Sequence, residues 1–97
     1  MTTQVILEFR AKEGCIDKVR DWLRSVLPDT RGFEGCVTLH CVQNQEDPAN
    51  ILIVEQWVTR AHYEKYLAWR GARGEMEVFG AMMDGPPTIR FFDYFGI

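Results

Sequence analysis

The chain reads as one α+β domain, a four-stranded antiparallel sheet with helices on one of its faces, and three observations predict it. Val5, Leu7, Phe9 and Ala11 alternate with Ile6, Glu8 and Arg10 at the period of a strand. Ile16, Val19, Leu23, Val26 and Leu27 then recur at helical spacing. Ile51-Leu52-Ile53-Val54 runs without polar interruption, as in a strand covered on both sides, and leads through Glu55-Gln56-Trp57 into a helical segment carrying Tyr63 and Tyr66.

Gln4 to Ala11 is the first strand and Lys12-Glu13-Gly14 a turn. The helix that follows has Asp17 where a carboxylate favours the N-terminal end of the dipole, and it stops at Pro28. Thr30 to Gly35 is a connector rich in turn residues. Cys36 to Gln43 is strand two and Asn44 to Ala49 a polar loop before strand three. Thr59 is placed to cap the second helix by accepting a bond from a free N–H of its first turn. Gly71-Ala72-Arg73-Gly74 marks a break, and Glu75 to Met83 is a short helix presenting Met76, Phe79 and Met83. Asp84-Gly85-Pro86-Pro87 ends it. Thr88 to Phe95 is the last strand, with Ile89, Phe91 and Phe95 on one face and Arg90, Phe92 and Tyr94 on the other.

This order fits the ferredoxin-like arrangement. Right-handed crossovers place both main helices on the same face of the sheet. Strands three and four are apolar on both faces, so the open face would be a large greasy patch. A second copy of the chain is the cheapest cover. Back-to-back sheets would make a two-fold homodimer, a dimeric α+β barrel, burying at least about 1,200 Å² in total.

The 97 residues make a single domain, 1–97, and no apolar run is long enough to cross a membrane. Met1-Thr2-Thr3-Gln4 lacks the basic and apolar stretches of a leader, so a soluble cytoplasmic protein is expected. A net charge of −3, with Lys and Arg scattered, argues against a nucleic-acid partner. Cys15, Cys36 and Cys41 form no C-x-x-C. Cys36 and Cys41, five apart on one strand, would point to opposite faces and not pair, so buried free thiols are expected. His40 and His62 have no i, i+4 partner, and no metal centre is expected.

Thr30-Arg31, Gly35-Cys36, Asp47-Pro48, Glu55-Gln56-Trp57 and Gly85-Pro86-Pro87 occur in an order and at spacings that resemble the antibiotic biosynthesis monooxygenase domain, over essentially the whole chain. The resemblance implies a dimeric α+β barrel with a pocket between sheet and helices in each protomer. It also implies a monooxygenase that oxidises an electron-rich hydroxyarene, a quinol or anthrone, with O₂ and with neither metal nor flavin as cofactor. Such a substrate loses a proton, and the resulting anion gives one electron to O₂. The protein has to stabilise that anion and keep water out. The small aromatic molecule would lie against aromatic walls bearing a few N–H and O–H groups.

In the resemblance, Trp57 matches the pocket Trp of the anthrone-oxygenase branch, whose indole N–H bonds the substrate oxygen. Tyr63 matches a Tyr credited with proton transfer or orientation. The Asn found four residues before that Trp is Ile53 here, and the His that many members carry nine residues after it is Tyr66. Haem-degrading relatives place an axial His on the next helical segment, and Glu75 to Met83 has none. The catalytic candidates are thus Trp57, Tyr63 and Tyr66, with Glu55, His62, Arg73, Phe79 and Met83 as candidates for substrate binding. Structural readings stand beside them: Trp57 as a core aromatic, the two tyrosines as a buried helix stripe, Glu55 as a paired carboxylate, His62 as a rim residue and Phe79 with Met83 as core. A non-catalytic or detoxifying dimer that binds an apolar aromatic ligand is the alternative function.

Overall fold

A computed structural model describes residues 2–97; Met1, the first residue of the segment read for a leader, lies outside them. Its elements are β1 (Thr3–Arg10), α1 (Ile16–Arg31), β2 (Cys36–Gln43), β3 (Asn50–Trp57), α2 (Arg60–Ala72), α3 (Glu75–Ala81) and β4 (Thr88–Asp93). The strands lie in the order β2-β3-β1-β4 and every neighbouring pair is antiparallel. This is the ferredoxin-like arrangement that the order of elements predicts. No helix of the described residues is long and apolar enough to cross a membrane.

The two central strands explain the sequence pattern. Val5, Leu7 and Phe9 of β1 and Ile51, Ile53, Glu55 and Trp57 of β3 are buried toward the helices, in the register Val5↔Glu55 and Leu7↔Ile53. Leu52, Val54 and Ile6 face the other way and are half-buried in the chain alone. The core separates into two clusters. One joins Leu7, Phe9, Val19, Leu23, Ile53, Phe79 and their neighbours, and is mainly aliphatic. The other, at the end of the sheet where β3 finishes, joins Val5, Trp57, Tyr63 and Tyr66 with Phe33, Trp69 and Phe91 against them.

Several expectations need correction. Pro28 does not stop α1, which continues to Arg31. A proline inside a helix removes one bond and crowds the carbonyl four residues earlier, a cost of about 3 kcal/mol. The turn beyond it is held from outside, because Arg70 Nη2 donates to Val26 O and to Thr30 Oγ1, and the Gly32 N–H still reaches Pro28 O at 3.1 Å. Cys36 and Cys41 share a face rather than opposing ones: a bulge between Cys36 and Thr38 resets the register, so that Cys36 pairs with Trp57 and Cys41 with Ile53. Cys41, moreover, is exposed rather than buried. β4 ends at Asp93, and Phe95 is 92% exposed instead of packing with Ile89 and Phe91. The reason is register: Asp93 lies opposite Thr3, the first residue of β1, so nothing remains for Phe95 to pair with.

The third helix is shorter than expected and ends at Ala81. Met82 and Met83 leave it to dock on the end of β1, through Lys12 N–H to Met82 O at 2.9 Å and an Ala11–Met83 bridge. α2 runs through Gly71 and Ala72, and the break falls at Gly74, whose φ of +76° suits glycine.

Candidate active site

Strand geometry puts Glu55 and Trp57, two residues apart, on the helix-facing side where β3 ends. Only Val58 and Thr59 separate β3 from α2, and Thr59 Oγ1 accepts from the His62 N–H at 3.1 Å, the cap the sequence suggests. This short connection turns the first buried stripe of α2, Tyr63, Tyr66 and Arg70, onto the same corner of the sheet. The rings pack closely: Trp57 and Tyr63 meet edge to face at 5.5 Å, Trp57 and Tyr66 at 5.2 Å, and Tyr63 and Phe91 at 5.6 Å. Such pairs add about 0.5–1.5 kcal/mol each to the burial of their surfaces.

Between the sheet and the helices lies a hollow of about 40 Å³. Glu55, Tyr63, Tyr66 and Arg70 are the residues of its lining that carry polar groups, and Trp22, Leu67, Met76 and Phe79 are among the apolar ones. Glu55 is 3% exposed. It makes no ion pair among the described residues, contrary to the reading of a paired carboxylate; Trp57 Nε1 donates to its Oε1 at 3.1 Å. Burial pushes the carboxyl up to about 7, and the indole N–H only partly restrains it. The Tyr63 hydroxyl is buried and has no hydrogen-bond partner among the described residues. Burial, then the nearby Glu55 and Tyr66, raise its pKa well above the ordinary phenol value, so it stays protonated and available as a donor.

Tyr66 is the opposite case. Its hydroxyl shares a hydrogen with Thr30 Oγ1 at 2.7 Å and accepts from Arg70 Nε at 3.0 Å. Arg70 is 2% exposed and also binds Val26 O, Thr30 Oγ1 and Glu75 Oε2. Its charge is therefore committed to Glu75 at 2.6 Å, which leaves Glu55 without a cation. Arg70, Thr30, Glu75 and Trp22 are absent from the candidates read in the sequence. A signal existed for two of them: Arg70 follows Tyr63 and Tyr66 at helical spacing, and Trp22 lies three residues from Val19 and four from Val26.

The structure brings together Glu55, Tyr63, Tyr66 and Phe79 around the hollow. Trp57 is fully buried beside it and touches it through Glu55. His62 sits at the start of α2, its Nδ1 2.6 Å from Thr59 Oγ1 and its ring against Gly35, where a Cβ would come within 2.5 Å. Arg73 is on the outside, paired with Glu75 and 4.8 Å over the Trp69 ring. Met83 belongs to the aliphatic core at the other end. A roomier cleft of about 260 Å³ runs between α1 and β2 past Ile16, Val19 and Cys41, but no buried polar side chain points into it. The buried polar side chains gather at the smaller hollow instead.

A mainly aliphatic hollow whose lining includes Glu55, Tyr63, Tyr66 and Arg70, on a ferredoxin-like frame, is a concave feature of the kind small-molecule sites use. The antibiotic biosynthesis monooxygenase family matches residues 3–73, and the chain belongs to that family. No curated protein matches it. Among solved structures it is similar to a conserved protein from Methanosarcina mazei Go1, with a TM-score of 0.86 and 15% identity over 95% of this chain and 91% of that one. It is also similar to an antibiotic biosynthesis monooxygenase, with a TM-score of 0.84 and 23% identity over 95% and 97% of the two chains. A third is a mutant of SnoaB, a cofactor-independent oxygenase from Streptomyces nogalater, with a TM-score of 0.84 and 10% identity over 99% and 95%. At these identities the likeness concerns the fold.

Proposed function

We propose that the chain is a cofactor-independent monooxygenase that oxidises an electron-rich hydroxyarene of the quinol or anthrone type with O₂. The observation that carries this reading is the Tyr63 hydroxyl, buried without a partner among the described residues, on a side chain that lines the hollow. A donor left in that state suits an oxygen anion arriving from outside. SnoaB, the cofactor-independent oxygenase of the same fold, supports the class of reaction.

For an anthrone the step balances as follows. The ring CH₂ loses a proton, and the anion so formed is held by the Tyr63 O–H. It passes one electron to O₂, and the carbon radical and superoxide combine to a peroxide. Loss of the second C–H proton with O–O cleavage leaves the ketone and water, so that CH₂ gives up four electrons and O₂ takes four. Tyr66, fixed by Thr30 and Arg70, and the Trp57 ring behind it hold the walls rigid. O₂ uptake with a panel of quinols and anthrones tests the proposal. The expected result is turnover that falls at least tenfold in Tyr63→Phe and in Trp57→Phe; variants that match the parent would remove both residues from the mechanism.

The size of the hollow favours a second reading. About 40 Å³ accommodates a water or two, whereas a benzene-sized ligand takes a cavity of about 150 Å³. Entry of a hydroxyarene requires side chains of the lining to give way. A non-catalytic dimer binding a smaller apolar ligand needs less movement, and a ligand returned unchanged under O₂ would support it.

Proteins of this family are typically dimers. The open face offers two apolar cross-strand pairs to that assembly, Val42 opposite Leu52 and Val54 opposite Ile6, flanked on the inner strand β1 by Glu8, bonded to Asn50, and by Gln4, bonded to Tyr94 and opposite Phe92. A homodimer through this face is expected to become monomeric in Val54→Lys, as read by sedimentation.

A further inference from the structure

The proton that leaves the substrate needs an acceptor, and the described residues offer few. His62 has its Nδ1 tied to Thr59 and packs on Gly35, away from the hollow. Arg70 is bound to Glu75, and both tyrosines are held in their neutral form by burial. Glu55 differs from all of these. One of its oxygens accepts from Trp57 Nε1, the other accepts from no protein group among the described residues, and the side chain borders the hollow next to Tyr63.

We infer that Glu55 is the general base of the reaction, with Trp57 as its positioning residue and Tyr63 as the donor to the substrate anion. The assignment rests on the monooxygenase reading above. In the step, the Glu55 carboxylate takes the proton from the substrate carbon or oxygen and becomes a neutral acid. After O₂ has added, it returns that proton to the peroxide anion, then takes the second C–H proton as the C=O bond forms and the O–O bond breaks, and passes it to the departing hydroxide, which leaves as water. The Trp57 indole cannot move a proton at neutral pH. Its bond fixes one carboxylate oxygen and so leaves the other directed at the hollow.

The surroundings suit the task. A base works best when it is half ionised near the working pH, and burial brings this carboxyl to about 7. The groups facing it are Tyr63, Tyr66 and Arg70 from α2 and Cys36 and Cys41 from β2, with the end of α1 adding Arg31, which donates to Leu39 O opposite Glu55. Partial loss of solvent raises the half-buried Cys36 thiol, so near neutral pH it is uncharged. The carboxyl and the phenol on one hollow thus have separate parts, one accepting a proton and one donating a hydrogen bond.

Two measurements on the purified full-length protein test the assignment. The first is anaerobic exchange of the anthrone CH₂ protons for deuterium, which isolates the proton step from the oxygen step. The parent should accelerate exchange and Glu55→Gln should lose at least about 100-fold, the range usual for a general base. Binding of anthraquinone, which has no proton to lose, should stay within threefold. The second uses the parent alone: kcat/KM should rise with pH to a plateau, half-maximal near pH 7. Exchange or turnover retained in Glu55→Gln, or a flat profile in the parent, would overturn the role of Glu55 while leaving the oxygenase reading in place. A parent that neither exchanges nor oxidises any substrate of the panel would overturn both.

Discussion

The two ends of the core are built from different materials. At one end Leu7, Leu23, Ile53, Phe79 and Met83 pack with apolar neighbours. At the other, the rings of Trp57, Tyr63 and Tyr66 surround all three buried polar or charged side chains among the described residues: Thr30, Glu55 and Arg70. Apolar packing alone makes a stable end. The aromatic end carries a carboxyl with no cation and a phenol with no partner, both of which oppose folding. The groups left unsatisfied thus lie at one end of the core, beside the fully bonded Tyr66 and Arg70, while the other end is apolar.

Four substitutions probe that contrast, in descending size of effect. Phe79→Ala at the aliphatic end removes a ring that contacts Phe9 and stacks on Trp22. It should cost about 3–5 kcal/mol in chemical denaturation, with little dependence on pH. Glu55→Gln should act the other way and only at higher pH. A carboxyl raised from 4.5 to about 7 holds more protons folded than unfolded between those values, so its burial is tolerated below about pH 4.5 and increasingly opposes folding as pH rises to about 7. The variant should therefore exceed the parent by on the order of 3 kcal/mol at pH 8 and lose that advantage near pH 5.

The tyrosines give the smaller pair of effects. Tyr66→Phe strips a partner from Thr30 and Arg70 and should cost about 1–3 kcal/mol. Tyr63→Phe removes a hydroxyl that has no partner among the described residues, and its stability should equal the parent's or exceed it by about 1 kcal/mol. Two tyrosines three residues apart on one helix would then show opposite signs. If Tyr63→Phe proved as costly as Tyr66→Phe, its hydroxyl would have to be engaged within the folded chain, and the contrast between them would vanish.

The aliphatic end and the strand order are legible in the sequence because they depend on periodicity, which a single chain displays. Val5, Leu7 and Phe9 announce one strand, and the Val19, Leu23, Leu27 stripe announces the helix over it. Errors arise where distant groups override local rules. Pro28 reads as a stop until Arg70, more than forty residues away, supports the turn beyond it. Phe95 reads as the end of a strand until the start of β1 limits the register. Glu55 reads as half of an ion pair because a buried carboxylate ordinarily is one. Only the packing shows that the nearby arginine is already bound to Glu75. Tyr63 and Tyr66 look alike in the sequence, and only the fold separates the satisfied one from the free one.

The most direct test is a ¹³C NMR titration of the Glu55 side-chain carboxyl in the unliganded protein, assigned with Glu55→Gln. The buried, cation-free environment predicts a midpoint near pH 7, with the Trp57 indole N–H signal moving at the same midpoint. A carboxyl that titrates near its ordinary value of 4.5, with the indole signal unmoved, would contradict the proposed base and the separation of roles built on it.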